Sequence, residues 1–319
     1  MVKYKTMDAN EAVASVAYKF SEMCGIYPIT PASPMAEHVD EMRAHGELNC
    51  FGNSVEVVEM QSEAGAIATV HGALQSGILA NTFTASQGLL LMIPSLYKMA
   101  GEMLPGVIHV AARSLATHAL SIFGDHQDVY AVRSTGVCML ASSNVQEAYY
   151  MAAIAHLSAI KSSLPFIHFF DGFRTSHEIN KIKLMDLDKI TSLLDKDALK
   201  NFRYRAMNIE RATTRGTAEN DDVYFQHAEA KNSVYYKALD DIVKVMEEVN
   251  NVVGSNIKPF NYYGSNEAEN IIIAMGSVNN TIKEVVDVLV EKGEKVGLIE
   301  VHLYRPFGPS YLLDILPIQ

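Results

Sequence analysis

Apolar runs of strand length alternate with stretches of helical periodicity along this chain, and no other feature constrains the fold as strongly. The clearest apolar runs cover residues 79–86, 106–112, 137–142 and 166–170, and helical stretches separate them. Strands that alternate with helices predict crossover connections, a mostly parallel sheet and helices on both of its faces. We therefore expect an α/β fold with a doubly wound, mostly parallel sheet.

Two polar residues lie on or beside the predicted helices near the start of the chain. A capping-box-like start at Asp8 predicts a first helix that ends near Gly25. Thr30 follows it between two prolines, which hold the preceding residues in extended backbone and predict a strand–loop–helix junction. Glu63 is expected inside an Ala- and Gly-rich helix between residues 54 and 77.

Polar motifs follow or open four of the predicted elements. They occupy residues 26–34, 59–66, 83–88 and 112–126. In an open α/β sheet the loops at the carboxyl ends of the strands line the ligand crevice. We therefore expect Thr30, Glu63 and Arg113 to meet in one active-site wall.

The composition changes in the carboxyl-terminal third of the chain. A domain boundary is expected between about residues 182 and 269, and residues 215–222 have linker character. We predict a first domain over residues 1–255, with its polar linker from about residue 201, and the start of a second α/β domain over residues 256–319. Two predicted strands are too few for a stable parallel core, so the second domain is expected to be truncated.

Charge and hydropathy argue against several classes of partner. The formal net charge of -11 and the lack of a basic stripe argue against a nucleic-acid or anionic-membrane surface. The amino terminus does not lead into the apolar region of a signal peptide, and no apolar stretch of about 18 residues predicts a membrane span. A cytoplasmic protein is the simplest expectation.

Several other residues with metal-binding or catalytic chemistry are weaker candidates for a site. Three scattered cysteines favour neither a disulfide framework nor a metal or iron–sulfur site: Cys24, Cys50 and Cys138. The spacing of Asp125, His126 and Asp128 fits no standard ligand set and favours hydrogen bonding within a loop. His168 and Asp171 are expected on opposite faces of one strand, so joint ligation is not expected.

Long motifs along nearly the whole chain, in order, resemble the pyruvate:ferredoxin (flavodoxin) oxidoreductases. They cover residues 27–31, 59–66, 83–92, 121–129, 169–178 and 303–307, and residues 215–220 resemble the single-chain form. The resemblance implies a homodimeric thiamine-diphosphate enzyme that oxidatively decarboxylates pyruvate and makes acetyl-CoA from coenzyme A. Its electrons would pass through iron–sulfur clusters to ferredoxin or flavodoxin. This chain matches the pyrimidine-side domain and part of the next domain.

The resemblance also implies roles for three residues of the expected wall. Glu63 matches the glutamate that hydrogen-bonds the cofactor's aminopyrimidine ring and favours its imino tautomer; the alternative is a surface glutamate. Arg113 matches the arginine that engages the substrate carboxylate and, with Glu63, belongs to the cofactor site; the alternative is a salt bridge. Thr30 matches the threonine that hydrogen-bonds the substrate or a developing oxyanion; the alternative is a turn residue.

Parts of the family pattern are missing from this sequence. The resemblance implies that Mg²⁺ and the cofactor diphosphate are held by a domain absent here and that cysteine-ligated clusters lie in other absent domains. The chain alone is therefore expected to be inactive. Two hypotheses remain: part of a pyruvate oxidoreductase that works with its missing domains, or a non-catalytic remnant or binding module that keeps the fold.

Overall fold

A large, mostly parallel sheet organises the first part of the chain in this computed structural model, which describes residues 2–317. The strands and helices, numbered in chain order, are β1 (Tyr4–Met7), α1 (Ala9–Phe20), β2 (Met23–Ile26), α2 (Ser33–Ala44), β3 (Glu56–Glu59), α3 (Glu63–Gln75), β4 (Ala80–Thr84), α4 (Ser86–Leu91), α5 (Ile93–Gly101), β5 (Val107–Ala112), α6 (Gln127–Val132), β6 (Cys138–Ala141), α7 (Val145–Ser162), β7 (Phe166–Asp171), β8 (Asn180–Lys183), α8 (Leu187–Thr191), α9 (Lys196–Tyr204), α10 (Asp221–Ala230), α11 (Asn232–Val253), β9 (Phe260–Gly264), β10 (Asn270–Ala274), α12 (Val278–Glu291), β11 (Val296–Val301), β12 (Leu303–Arg305) and α13 (Pro309–Leu313).

The large sheet has seven strands in the order β12-β6-β7-β5-β4-β2-β3. Every neighbouring pair is parallel except β12 with β6. Successive side chains of a strand point to opposite faces, so Val107 and Ala111 of β5 join one core cluster and Ile108 and Val110 join the other. Helices α1, α2, α7 and α11 pack into the first cluster, and α3, α4 and α5 pack into the second. The predicted doubly wound, mostly parallel sheet is confirmed.

The chain reverses its direction through the sheet between β2 and β4. From β2 it crosses by α2 to β3, and from β3 it returns by α3 to β4 on the other side of β2. Helix α2 packs into the first cluster and α3 into the second, so the two connections cover opposite faces. Ligands of open α/β sheets bind outside the carboxyl ends of the strands at such a reversal.

Two predicted boundaries near this reversal were wrong. Helix α1 ends at Phe20, not near Gly25, because the four-residue strand β2 begins at Met23. Gly25 belongs to that strand: a Cβ there would lie 2.7 Å from the carbonyl oxygen of Ala66, so the glycine lets α3 pack against β2. Glu63 is the first residue of α3 rather than an interior one, and the Ser62 side chain caps that end.

The last part of the described chain forms a second, smaller sheet. Strands β10 and β11 are parallel, and β9 pairs antiparallel with β11, so this sheet has three strands where two were predicted. Strand β12 then returns to the large sheet beside β6. The domain boundaries given above stay a prediction. Among the helices of residues 2–317, none combines the length and apolar character that crossing a bilayer requires.

Candidate active site

Four loops at the carboxyl edge of the large sheet form what we call the four-loop wall. Thr30 follows β2, Glu63 opens α3 after β3, residues 86–88 follow β4, and Arg113 follows β5. Arg113 donates a hydrogen bond to the Thr30 carbonyl oxygen, and its charge is close enough to the Glu63 carboxylate for the two to interact. The structure therefore brings Thr30, Glu63 and Arg113 together.

Arg113 is a buried cation, with 8% of its surface exposed. Its Nη1 donates to the Thr30 carbonyl oxygen at 2.6 Å, and its Nη2 donates to Oε1 of Gln87 at 3.3 Å. Its Nε is buried without a hydrogen-bond partner, and the guanidinium forms no ion pair within residues 2–317. Burial lowers the pKa of Arg113 and the carboxylates of Asp128 and Glu63 oppose that shift, so the group stays charged at neutral pH. This geometry argues against the salt-bridge alternative.

Glu63 is 7% exposed and lies in the first turn of α3, where the helix dipole favours a negative charge. No residue of the described chain donates a hydrogen bond to its carboxylate. Helix α4 approaches it closely, because a Cβ on Gly88 would lie 2.7 Å from both Cγ and Oε1 of Glu63. The carboxylate is thus held against α4 with its hydrogen-bonding capacity unused, which does not fit a surface glutamate.

Thr30 offers a free hydroxyl on an anchored loop. The residue is exposed, and its side chain has no hydrogen-bond partner within residues 2–317. Its carbonyl oxygen binds Arg113, while the carbonyl of the next residue, Pro31, accepts from the buried side chain of Asn10 at 3.0 Å. The Thr30 hydroxyl is therefore available to a ligand.

Asp128 is a structural part of this site that the sequence did not reveal. It is fully buried, and its Oδ2 accepts hydrogen bonds from the backbone N–H groups of Ser86 at 2.7 Å and Arg113 at 3.0 Å. Burial raises its pKa to about 6, although these bonds act in the other direction. Loop hydrogen bonding was predicted for Asp128, but its partners were not. They are main-chain groups far away in sequence, which no residue pattern identifies.

A second polar region, the interunit junction, joins the two sheets through Asp171, Ser277, Glu147, Glu300 and His302. The Asp171 carboxylate accepts from His126 Nε2 at 2.7 Å and from both the backbone N–H and the hydroxyl of Ser277. His168 instead contacts Ser142 and His109 inside the sheet. It does not share a site with Asp171, as predicted.

The charges of the interunit junction form two ion pairs. Glu147 at the start of α7 faces His302 at 3.5 Å, and Glu300 of β11 faces Lys283 of α12 at 2.8 Å. The His302 Nδ1 donates to the carbonyl oxygen of Lys258 at 3.0 Å, since a carbonyl can only accept. The Glu147–His302 pair links α7, which packs on the large sheet, to the end of β11 in the smaller one, whereas the Glu300–Lys283 pair lies within the smaller unit.

Comparison with protein families places this chain in a known family. Residues 15–248 match the family described as pyruvate flavodoxin/ferredoxin oxidoreductase, thiamine diphosphate-binding. Residues 268–316 match the pyruvate:ferredoxin oxidoreductase core domain II. The chain therefore belongs to the pyruvate flavodoxin/ferredoxin oxidoreductase family.

Individual relatives agree with this family. The chain is 56% identical over 316 residues to a pyruvate-flavodoxin oxidoreductase of Klebsiella pneumoniae, covering 99% of this chain and 27% of the relative. It is 55% identical to the pyruvate:ferredoxin oxidoreductase of Moorella thermoacetica, and the match covers 98% of this chain and 27% of that relative. A mitochondrial pyruvate dehydrogenase [NADP(+)] of Euglena gracilis is 49% identical, and the match covers 98% of this chain and 17% of that relative. The chain thus spans about a quarter or less of the length of these relatives.

A solved structure supports the fold. The 2-oxoglutarate:ferredoxin oxidoreductase from Magnetococcus marinus, with 2-oxoglutarate, coenzyme A and succinyl-CoA bound, matches with a TM-score of 0.71. The match covers 99% of this chain and 56% of that one at 20% identity. At this identity the likeness concerns the fold alone.

Proposed function

We propose that this chain works as the pyrimidine-side part of a longer thiamine-diphosphate enzyme. That enzyme oxidatively decarboxylates pyruvate to acetyl-CoA and CO2 and passes the electrons to ferredoxin or flavodoxin. Family membership supports the proposal, as do relatives that are named for pyruvate and for these acceptors. The observation that carries it is that Glu63 and Arg113, two largely buried charged side chains of the four-loop wall, form no ion pair within residues 2–317.

The Glu63 carboxylate fits the aminopyrimidine ring of thiamine diphosphate. It is buried, has no hydrogen-bond donor within residues 2–317, and lies against a glycine that leaves no room for a side chain. Its oxygens are not among the atoms sealed from solvent, so a ring N–H of a ligand could reach and bond them. When bound, the cofactor supplies the electron sink for decarboxylation of a 2-oxo acid. Glu63 would orient the ring and hold a proton at its nitrogen.

Arg113 and Thr30 fit the substrate. A 2-oxo acid carries a carboxylate beside a carbonyl group, so it requires a fixed cation and a nearby hydroxyl donor. Arg113 offers a charged guanidinium whose Nη2 makes only a 3.3 Å bond to Gln87, and the exposed Thr30 hydroxyl lies on the loop that Arg113 binds. Desolvated donors fixed in place before the reaction stabilise developing negative charge more than flexible ones. These groups would bind any 2-oxo acid, and the named relatives favour pyruvate.

The remaining parts of the proposal concern groups outside this chain. Following the family resemblance, we assign Mg²⁺ and the cofactor diphosphate to another part of the longer protein. We assign the iron–sulfur clusters there too, because the three cysteines of this chain are free and separate. Coenzyme A as acyl acceptor, a homodimer and a cytoplasmic location complete the proposal.

Reconstitution tests the proposal. Thiamine diphosphate with Mg²⁺ is titrated calorimetrically into this chain alone and into its mixture with the carboxyl-terminal remainder of the Moorella thermoacetica relative. We expect binding and pyruvate-dependent dye reduction only in the mixture. A mixture that assembles but neither binds the cofactor nor reduces the dye would indicate a non-catalytic remnant.

A further inference from the structure

We propose that Asp128 is a positioning residue of this site: its buried carboxylate fixes the main chain of Arg113 and so the direction in which Arg113 presents its guanidinium to the substrate. The inference rests on the proposed function. Asp128 lies in the first turn of α6, outside the three residues that the family resemblance assigns to the site.

The carboxylate joins the ends of two neighbouring strands. Its Oδ2 accepts from Ser86 N, directly after β4, and from Arg113 N, directly after β5. Its Oδ1 accepts from Val129 N at 2.8 Å. Strands β4 and β5 are parallel neighbours, so one side chain sets the spacing of their ends where the wall begins.

The same carboxylate also acts on the Arg113 side chain through the α4 turn. Ser86 has a φ of 49°, a backbone conformation that is uncommon outside glycine and requires support from its surroundings. Asp128 supports it through the Ser86 N–H, and the Ser86 hydroxyl donates to the carbonyl oxygen of Ser114 at 2.7 Å. The next residue, Gln87, accepts from Arg113 Nη2. Asp128 therefore anchors both the main chain of Arg113 and the turn that holds its side chain.

Only a carboxylate satisfies all three N–H groups. Both of its oxygens accept, whereas an asparagine would turn one acceptor into an NH2 group that faces an N–H donor. With its amide oxygen towards the N–H groups of Ser86 and Arg113, the asparagine would place its NH2 group against the N–H of Val129, and this repulsion would shift the side chain and the two strand ends that it holds. Asp128→Asn keeps the size of the side chain and removes this one property.

Protonation should have a similar effect. The charged groups that interact with Asp128 are Arg113 at the end of β5 and His126 in its own turn, and α4 carries no charged residue. Burial raises the pKa of Asp128 to about 6, although its N–H donors and His126 lower it. As the pH falls through that value, one acceptor oxygen gains a proton and the anchor weakens. Binding of the substrate carboxylate should weaken with it.

The test compares Asp128→Asn with Asp125→Asn in the full-length holoenzyme that carries this sequence. Asp125 is an exposed carboxylate of the same loop that accepts only from Gln127 N, so it is the matched control. We expect the KM for pyruvate to rise about tenfold in Asp128→Asn while kcat changes by no more than about threefold, because binding of the carboxylate is what is lost. The wild-type KM should rise below about pH 6, and that rise should be absent in Asp128→Asn.

Two results would overturn the inference. One is a KM for Asp128→Asn within about twofold of wild type. The other is a wild-type KM that stays flat across the acidic range, and this measurement decides the matter even if the variant does not fold. A wild-type enzyme inactive on pyruvate would instead contradict the proposed function. A kcat/KM for pyruvate that falls in Arg113→Lys but stays at the wild-type value in Asp128→Asn would contradict only the role of Asp128.

Discussion

The four-loop wall and the interunit junction both place buried polar groups near the large sheet, but they satisfy them differently. In the junction the charges pair with each other, as Glu147 does with His302 and Glu300 with Lys283. In the wall Glu63 and Arg113 have no ion-pair partner within residues 2–317. We therefore propose that the wall is organised for a ligand, whereas the paired charges of the junction hold two parts of the chain together.

Arg113→Lys tests the ligand side of this comparison. A lysine keeps the charge but loses the planar fork that binds a carboxylate and the contacts to Thr30 and Gln87. We expect kcat/KM for pyruvate to fall about 100-fold in the full-length enzyme, a loss of roughly 2.7 kcal/mol in transition-state binding. Arg43→Lys, at an exposed pair with Glu56, is the control and should have no effect. Unchanged kcat/KM in Arg113→Lys would remove the reason to connect the unpaired charge with the substrate.

Gly88→Ala tests whether the close approach of α4 matters to Glu63. The new Cβ would lie 2.7 Å from Glu63 Oε1 and 2.6 Å from Thr84 Oγ1, so the carboxylate or the helix must shift. We expect about tenfold weaker binding of thiamine diphosphate in calorimetry and roughly 1–3 kcal/mol lower stability from overpacking.

Gly72→Ala is the matched control for that substitution. Gly72 lies in α3, the helix that Glu63 opens, and a Cβ there meets nothing within 4 Å. This variant should keep cofactor affinity and gain about 0.5–1 kcal/mol from better helix propensity. Equal cofactor affinity in the two variants would contradict the account of Glu63.

His302→Gln tests the junction. Burial raises the pKa of Glu147, but His302, the Ser143 N–H and Lys283 lower it to about 2 from its ordinary 4.5. Burial lowers the pKa of His302, but Glu147 and Glu300 raise it above its ordinary 6.5. The contribution of His302 to the free energy of unfolding is complete below pH 6.5 and is lost as the pH rises through the pKa of His302 in the folded protein. The contribution of Glu147 to the free energy of unfolding is present above pH 4.5 and is lost as the pH falls towards 2.

The pair should therefore stabilise the fold most between pH 4.5 and 6.5. In that range we expect His302→Gln to lower the free energy of unfolding by roughly 3 kcal/mol in urea titrations, because a buried charge loses its partner. His38→Gln removes an exposed histidine–glutamate pair and should cost less than about 1 kcal/mol. Equal losses in the two variants would mean that the junction is no more than a surface contact.

The sheet was predictable where its strands are long and apolar, as β5 and β7 are. A strand before Thr30 was predicted, but the start of β2 was placed too late because the strand has four residues and contains Gly25, whose role depends on the approach of α3. Strand β1 was missed because it is mostly exposed and pairs with Asn180–Lys183, far along the chain. Such strands are defined by tertiary contacts rather than by local periodicity.

The candidate site was predictable to a similar degree. Thr30, Glu63 and Arg113 could be named because their residue types and motifs carry the chemistry. The contact of Gly88 with Glu63, the N–H groups held by Asp128 and the bond from Ser277 to Asp171 could not. Each joins groups that are distant in sequence, and two of the three involve main-chain atoms that look alike at every residue.

Substitution of Glu63 by glutamine in the full-length holoenzyme tests the central claim most directly. Glutamine keeps the size of the side chain but removes the charge that would hold a proton at the pyrimidine ring. We expect pyruvate-dependent dye reduction to fall by about 10³-fold or more with thiamine diphosphate still bound, while Glu56→Gln, exposed at the other end of β3, keeps full activity. Activity of Glu63→Gln within a few-fold of wild type would contradict the claim that this wall is the pyrimidine side of a thiamine-diphosphate site.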